Sequence, residues 1–417
     1  MEHAGFKADQ SPAGGRGKVI MARENINRNS NNPCTGCGIC SIVCPKGAIQ
    51  TELNAKGFPE GNADENLCID CGKCVEICSK YKEPGESSYM KLMEQKGRVF
   101  MAFSKDGAIR NKSSSGGVGV EISKSCISLG YSVCGVYYDL QNKRVEHKLA
   151  DTMEEMKEFA GSKYLMSYAG KALSGLEPQK KYVIFGTPCQ TYALRQKIRQ
   201  QKMEDNVLLV DFFCHGVPSY LLWSRYLEYV QKRYKTGDIK AVTFRNKKYG
   251  WHDYSMVIEG DRKCYTGRMR KDLFYHFYLS NVCLNDACYK CCFRLDYVYS
   301  DIRLGDFWGP KYKDDKSGVS LVTANTEKGL EILESLKHNI ILEEVSAADL
   351  LKAQPTRGIA VPEKRRAIMD MLQSGSSLRV IYRKYLMAGH IKGRLLHFVK
   401  GLLPGNMRSA VKKVIKK

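Results

Sequence analysis

The sequence predicts a two-part α+β / α/β chain, in which a small cysteine-rich unit is followed by a larger mixed α/β domain. Three observations predict it. Eight cysteines between residues 34 and 78 repeat one tight spacing twice. A Pro/Gly/Ser stretch, Glu83-Pro84-Gly85-Glu86-Ser87-Ser88, then reads as a linker. From about residue 97, short apolar strand-like runs alternate with helical segments. At 417 residues and 43% hydrophobic content, two or three domains with a sizeable core are expected. No apolar run approaches the ~18 residues needed to span a bilayer.

Cys34, Cys37, Cys40 and Cys44 read C-x2-C-x2-C-x3-C and are followed by Pro45. Cys68, Cys71, Cys74 and Cys78 repeat the spacing, with Ser79 in place of a second proline. This is the ligand pattern of a bacterial two-cluster ferredoxin domain. A thiolate every third residue on a loop containing Gly36, Gly38 or Gly72 wraps three corners of a cube, and the fourth cysteine reaches the other cube. One 4Fe–4S cluster is thus assigned to Cys34, Cys37, Cys40 and Cys78, the other to Cys68, Cys71, Cys74 and Cys44. Such a unit carries electrons singly. The main alternative is zinc, whose knuckles use paired C-x2-C units and need no third cysteine in this register. A disulfide framework belongs to small secreted domains with a signal peptide. The start MEHAGFKADQSPAGG lacks an apolar h-region, so the 17 cysteines read as reduced thiols and metal ligands of a cytoplasmic protein.

The formal charge of +22 counts every cysteine as neutral, and ligating thiolates reduce it. The excess is uneven. After Asp370 there is no acidic residue, while eleven Lys and Arg follow. From His390 the basic residues are interleaved with apolar pairs such as Leu395/Leu396 and Leu402/Leu403. A basic amphipathic tail suits an anionic membrane surface, on the inner face, or an acidic partner. The alternative is a terminal helix packed on its own domain. No nucleic-acid module accompanies the charge, so no nucleic-acid partner is expected.

The chain divides into residues 1–30, polar, Gly/Asn-rich and read as disordered or loosely attached; 31–82, the ferredoxin-type unit; 97–370, the larger domain; and 371–417, the basic tail. Two strand–turn–helix units stand out in the larger domain. Lys181 to Phe185 leads through Gly186-Thr187-Pro188-Cys189-Gln190 into the helix-like TYALRQKIRQQ. Val207 to Phe213 leads through Cys214-His215-Gly216-Val217-Pro218-Ser219 into YLLWSRYLEYVQKR. Each puts a cysteine at the carboxyl end of a strand, where open α/β sheets bind ligands. Residues 238–310 are mixed and aromatic-rich, and 318–345 read strand, helix, strand.

Several motifs run in order: Ser113-Ser114-Ser115-Gly116-Gly117, Gly161-Ser162-Lys163-Tyr164-Leu165, the Gly186 and Cys214 turns, Phe244-Arg245-Asn246-Lys247, Cys288-Tyr289-Lys290-Cys291, and Ser300-Asp301-Ile302 with Gly305-Asp306-Phe307-Trp308-Gly309. Together with the cysteine-rich unit they cover roughly residues 31–345. In this combination the chain resembles the family of coenzyme F420 hydrogenase/dehydrogenase beta subunits, in the form fused to an N-terminal two-cluster ferredoxin domain. Relatives in that family include components of F420H2 dehydrogenase and 7-hydroxymethyl chlorophyll a reductases. The resemblance implies an iron–sulfur flavoprotein oxidoreductase with a mixed α/β domain that binds FAD. Its partners would be a ferredoxin, an F420-like carrier or an organic substrate. The direction of electron flow is left open.

The resemblance also supports a third cluster in the larger domain. Cys189, Cys214, Cys288 and Cys291 are the candidate ligands, with helix N-termini behind the first two favouring thiolate. The alternatives are buried structural thiols, or a redox-active Cys189. Cys283 and Cys292 flank the C-x2-C pair, so Cys292 can stand in for Cys291. Cys126, Cys134 and Cys264 are read as packed. For FAD, the candidate contacts are Ser114, Ser115, Gly116 and Gly117 at the start of a helix, where backbone N–H groups meet an anion, together with Lys163. Without a G-x-G-x-x-G fingerprint a nicotinamide site is not expected. His215 and Lys163 are the candidate catalytic residues. Arg245 and Lys247 would face an anionic substrate, or else all these cations are surface groups. Asp301 and Asp306 are read as turn caps. Three functions remain: an enzyme with its own substrate, an electron-transfer component that feeds a partner enzyme or membrane complex, or an iron–sulfur redox sensor or structural module with clusters but no flavin.

Overall fold

The computed structural model describes residues 24–82, 85, 95, 98–294, 296–354 and 358–391. Most of the linker and the tail beyond Ile391 lie outside them. In the N-terminal unit, β1 (Ile49–Leu53) and β2 (Pro59–Ala63) form an antiparallel hairpin. Two short helices, Ile39–Val43 and Lys73–Glu76, carry the third cysteine of each repeat, Cys40 and Cys74, into a small core with Ile26, Ile49 and Ala63. Residues 24–30 are not loosely attached, which corrects the sequence-based boundary. Asn25 and Ile26 are buried, and the Asn27 side chain donates to the Ala63 carbonyl at 2.8 Å and accepts from its N–H at 3.0 Å. Polar composition suggested disorder, but asparagine amides can satisfy backbone groups as a strand would.

The larger domain is built on an eight-stranded sheet of β3 (Val99–Ser104), β4 (Ser132–Asp139), β5 (Arg144–Ala150), β6 (Tyr182–Phe185), β7 (Val207–Phe212), β11 (Ile302–Asp306), β12 (Ser320–Ala324) and β13 (Ile340–Glu344). Their order is β13-β3-β12-β11-β7-β6-β4-β5. The central four, β11, β7, β6 and β4, are parallel, and antiparallel strands close both sides. The apolar runs Tyr182–Phe185 in β6 and 207–210 in β7 are unbroken because both faces are covered there. Leu208 and Val210 meet Val118, Ile122 and Cys126 of the helix Val118–Ser128. Val207 and Leu209 meet Tyr192, Leu194 and Ile198 of the helix Pro188–Gln200.

Three ion pairs tie the sheet to its surroundings. Arg303 on β11 makes a bidentate pair with Asp211 on β7 at 2.8 and 2.7 Å. Arg195 pairs with Asp301 at 2.9 Å, and Asp301 also accepts from Leu209 N at 2.7 Å. Asp306 pairs with Arg245 at 2.6 Å and accepts from Trp251 Nε1 at 2.7 Å. Asp301 and Asp306 are therefore ion-pair partners, not the turn caps expected from their glycine-containing context. An exposed cap and an inward-facing partner share that local sequence and differ only in tertiary contacts.

A second, three-stranded sheet, β8 (Ile239–Asn246), β9 (Ser255–Gly260) and β10 (Cys264–Arg268), shares an aromatic core with the helix Tyr220–Tyr234. The helices Arg365–Gln373 and Leu378–Tyr385 bury Ile368, Leu372, Leu378 and Ile381 in that same core. The basic tail thus does not begin at residue 371; up to Leu386 the chain is part of the domain. Its apolar residues recur at helical spacing, which the charge count obscured. Among the described residues, no helix is long and apolar enough to cross a membrane.

The N-terminal unit docks on this domain through the β1–β2 turn. Gly57 adopts φ +76°, and a Cβ there would lie 2.5 Å from Leu221 N. Its carbonyl accepts from Tyr220 N at 2.8 Å, at the start of the helix. Phe58 enters the aromatic core, while Ile39 and Ile77 enter the core beside β6. The docking holds the cysteine loops against the carboxyl ends of the parallel strands.

Candidate metal centres and cofactor loop

The doubled cysteine motif folds into two sets. Cys78 lies in the electrostatic reach of Cys37 and Cys34, and Cys40 in that of Cys37, Cys34 and Cys78. Cys74 is paired in the same way with Cys71 and Cys44. Cys44, Cys68, Cys71 and Cys74 line one small cavity beneath Asn25 and Ile49. The fourth cysteine of each repeat therefore joins the other repeat's triplet. The Asn25 amide and the Gly36 and Ala48 N–H groups donate to Cys68, Cys34 and Cys44 sulfurs at 3.5, 3.4 and 3.3 Å. Hydrogen bonds to ligand sulfurs tune cluster potential. Among the described residues, no three His, Cys, Asp or Glu side chains are arranged for a single metal ion. A four-iron cube holds its ligands farther apart than one zinc does.

Four further cysteines converge beyond the sheet. Cys189, the second residue of its helix, and Cys214, just past β7, lie near one another and near Cys291. Cys288 lies near Cys214 and Cys291. Thr187 Oγ1 sits 3.2 Å from Cys189 Sγ, and Val217 N donates to Cys288 Sγ at 3.4 Å. Burial raises all four thiols, to about 11 for Cys214 and about 12 for Cys288. Bound iron inverts that logic by holding thiolate. The donor set is four half-buried sulfurs, which fits an iron–sulfur cube.

Of the two competing cysteines, Cys283 is fully buried in the aromatic core, and Cys292 packs toward Tyr192. Cys126 and Cys134 are fully buried, but Cys264 is exposed on β10, so its expected packing is corrected. The edge of a three-stranded sheet leaves alternate residues in solvent. Sequence reasoning missed Arg294. Its charge acts on Cys214, Cys288 and Cys291, and its Nη2 donates to the His215 carbonyl at 3.0 Å. Its place three residues after Cys291 was the available signal. His215 itself is held by Asn281 at 2.7 Å and packs edge-on against Tyr278.

The Ser-Gly-Gly loop runs from the helix Gly107–Lys112 to the helix Val118–Ser128 and lies against β3 and β12. A Cβ at Gly116 would lie 2.5 Å from the Ala102 carbonyl oxygen, so only glycine lets the loop cross the sheet here. Ser114 Oγ accepts from Ser162 N at 2.7 Å, which joins the loop to the Gly161-Ser162-Lys163 segment. Ser115 donates to the Val319 carbonyl at 2.8 Å. The helix begins at Gly117 without a side-chain cap, and among the described residues the buried Ser113 hydroxyl has no partner. Lys163 Nζ donates to the carbonyls of Glu158, Phe159 and Ala160, and burial pulls it down to about 7. Lys247 donates to the carbonyls of Arg110, Ser115 and Ser317, and burial likewise pulls it to about 7. Neither is a free surface cation. Arg245 is buried, paired with Asp306, and its guanidinium lies 4.5 Å from the Tyr254 ring centre.

The same two regions are found by comparison with known proteins. Residues 33–82 match the family model of the 4Fe-4S dicluster domain. Residues 179–349 match the family model for the C terminus of the coenzyme F420 hydrogenase/dehydrogenase beta subunit. The F component of the F(420)H(2) dehydrogenase of Methanosarcina mazei is 25% identical over 323 residues, 75% of this chain and 84% of that protein. The coenzyme F420-dependent sulfite reductase of Methanocaldococcus jannaschii is 25% identical over 336 residues, 76% of this chain and 48% of its own, so the chain spans about half of that relative. One polypeptide of the F420-reducing NiFe hydrogenase complex from Methanosarcina barkeri aligns over 70% of this chain and 92% of its own, at 17% identity and a TM-score of 0.43. The chain thus carries a 4Fe-4S dicluster domain at residues 33–82 and, at residues 179–349, a domain that matches the C terminus of the coenzyme F420 hydrogenase/dehydrogenase beta subunit.

Proposed function

We propose that this chain is an iron–sulfur flavoprotein that relays electrons between its ferredoxin-type centres and FAD, in exchange with an F420-like carrier or an organic substrate. One observation carries the reading: Cys37 of the first N-terminal set lies close to Cys189 of the third set, and Gln190, the neighbour of Cys189, donates to the Cys37 carbonyl at 3.4 Å. The three thiol sets therefore stand in series, from the Cys71 side, through Cys37, to Cys189 and Cys214.

The residues near the Ser-Gly-Gly loop fit a dinucleotide flavin. An uncapped helix start, a buried Ser113 hydroxyl with no partner among the described residues and the nearby buried Arg245 guanidinium suit anionic oxygens. When bound, a flavin exchanges electron pairs with a substrate and single electrons with iron–sulfur centres. Ser114 and Ser162 fix the loop, Arg245 held by Asp306 orients an anionic group, and Lys163 and Lys247 supply nearby protonatable amines. His215 lies beside Cys214 and would hold a proton near the third centre.

The Methanosarcina mazei relative is named as one component of a larger dehydrogenase, which favours a relay working with a partner enzyme over a self-sufficient enzyme. Proteins of this kind would work in the cytoplasm, with the basic tail touching an anionic inner membrane face. The test is the purified protein, loaded with iron and flavin and reduced with dithionite. Reduction of F420 without any partner would establish an enzyme with its own substrate. Cluster and flavin reduction with no turnover would leave the relay role. Absence of flavin binding would sink the flavoprotein reading. Deleting residues after Gly389 should weaken binding to anionic vesicles, and unchanged binding would remove the membrane contact.

A further inference from the structure

Arg294 ties two cysteine-bearing segments of the third set together. It follows Cys291 by three residues, and its Nη2 donates to the carbonyl of His215, the neighbour of Cys214, at 3.0 Å. Its own carbonyl accepts from Arg303 Nη1 at 3.3 Å. Arg303 is fully buried and paired with the equally buried Asp211 at 2.7 Å, so that support is internally neutral. The Arg303 and Asp211 charges act on the set with opposite signs, on Cys291 and Cys214 respectively. Arg294 differs from this pair. Its Nε is buried, with no hydrogen-bond partner among the described residues. A buried donor without an acceptor is costly, and a sulfur is an acceptor of the kind it lacks. Burial raises the thiols of Cys214, Cys288 and Cys291, and the Arg294 charge opposes it at all three.

We propose that Arg294 is the charge that raises the reduction potential of the third centre and so draws electrons toward it from the set that contains Cys37. The proposal rests on the relay reading and adds a direction to it. One electron leaves the reduced Cys37 set and enters the oxidised third centre. The first becomes one charge less negative and the second one charge more. No proton moves and no bond is made or broken. A cation beside the sulfurs, with a donor turned to one of them, stabilises the reduced form more than the oxidised form. A neutral side chain in its place leaves the electron with the Cys37 set for more of the time.

The experiment is an anaerobic redox titration of the iron-loaded full chain, followed by EPR. The third centre's signal is the one that Cys214→Ala removes. Arg294→Gln should make reduction of that centre about tenfold less favourable, which is about 59 mV lower for one electron, with the other two centres unmoved. Arg294→Lys keeps the charge and should stay within about threefold of the unsubstituted protein. A side chain that only braced the His215 carbonyl would shift both variants alike. An unshifted potential in Arg294→Gln, or equal shifts in the two variants, overturns the role of Arg294. Loss of about four irons from either variant also overturns it, because the side chain would then hold the cluster in place and not tune it. About eight irons in the unsubstituted chain would instead overturn the third centre itself, and the relay reading with it.

Discussion

The side-chain amide of Gln190 donates to the backbone carbonyl of Cys37 at 3.4 Å, across the junction between the N-terminal unit and the larger domain. The same amide donates to Ser167 O at 3.1 Å, and its oxygen accepts from Thr187 N at 3.0 Å to close a capping box. One fully buried side chain thus fixes the loop of the first thiol set, the start of the helix that carries Cys189, and the turn between them. Gln190→Ala removes a cap and leaves buried partners unsatisfied. We expect it to cost about 2 kcal/mol. Anaerobic urea unfolding checks this; a change within experimental error would mean the amide does not hold the junction.

The exchange of fourth cysteines between repeats predicts how single substitutions pair. Cys78→Ala and Cys37→Ala should erase the same EPR signal of the reduced protein. Cys44→Ala and Cys71→Ala should erase the other. If Cys78→Ala instead matched Cys71→Ala, each repeat would hold its own cluster, and the set built from Cys34, Cys37, Cys40 and Cys78 would be wrong.

Cys291 and Cys292 are neighbours with different surroundings. Cys291 faces Cys214 and Cys288, whereas Cys292 packs toward Tyr192. Cys291→Ala should lose about four irons per chain, and Cys292→Ala should lose none. Iron analysis of the two variants, purified anaerobically in parallel, decides between them; equal loss would remove the assignment.

Acid sensitivity has a located source in His147. It is buried, with Nε2 2.9 Å from the Phe185 carbonyl oxygen, and burial lowers it from 6.5 to about 4. Between those values the unfolded chain takes up a proton that the folded chain refuses. Stability is therefore complete above 6.5 and falls as pH drops toward 4. This one group should account for about 2 kcal/mol of lost stability between about pH 7.5 and about pH 5. His147→Gln should flatten that part of the profile, as read from urea midpoints; an unchanged slope would clear His147.

The cysteine spacing was the most legible feature, because the reach of a loop dictates which sulfurs can meet. The strand–turn–helix units at Cys189 and Cys214 were legible for a related reason: unbroken apolar runs mark β6 and β7 as covered on both faces. What lay hidden was set by contacts between distant segments. Nothing local to Asp301 announces Arg195, and nothing near Asn27 announces Ala63. The placement of β3 between β12 and β13, far from its sequence neighbours, likewise has no local signature. The three acceptors of Lys163 are backbone carbonyls that no side-chain pattern reveals.

Anaerobic iron and flavin quantification on the intact chain is the decisive measurement for the proposed three thiolate-bound centres in series with a flavin. The account predicts about twelve irons, with one flavin, per chain. About eight irons would leave Cys189, Cys214, Cys288 and Cys291 without a cluster, and iron without flavin would contradict the relay's chemical end point.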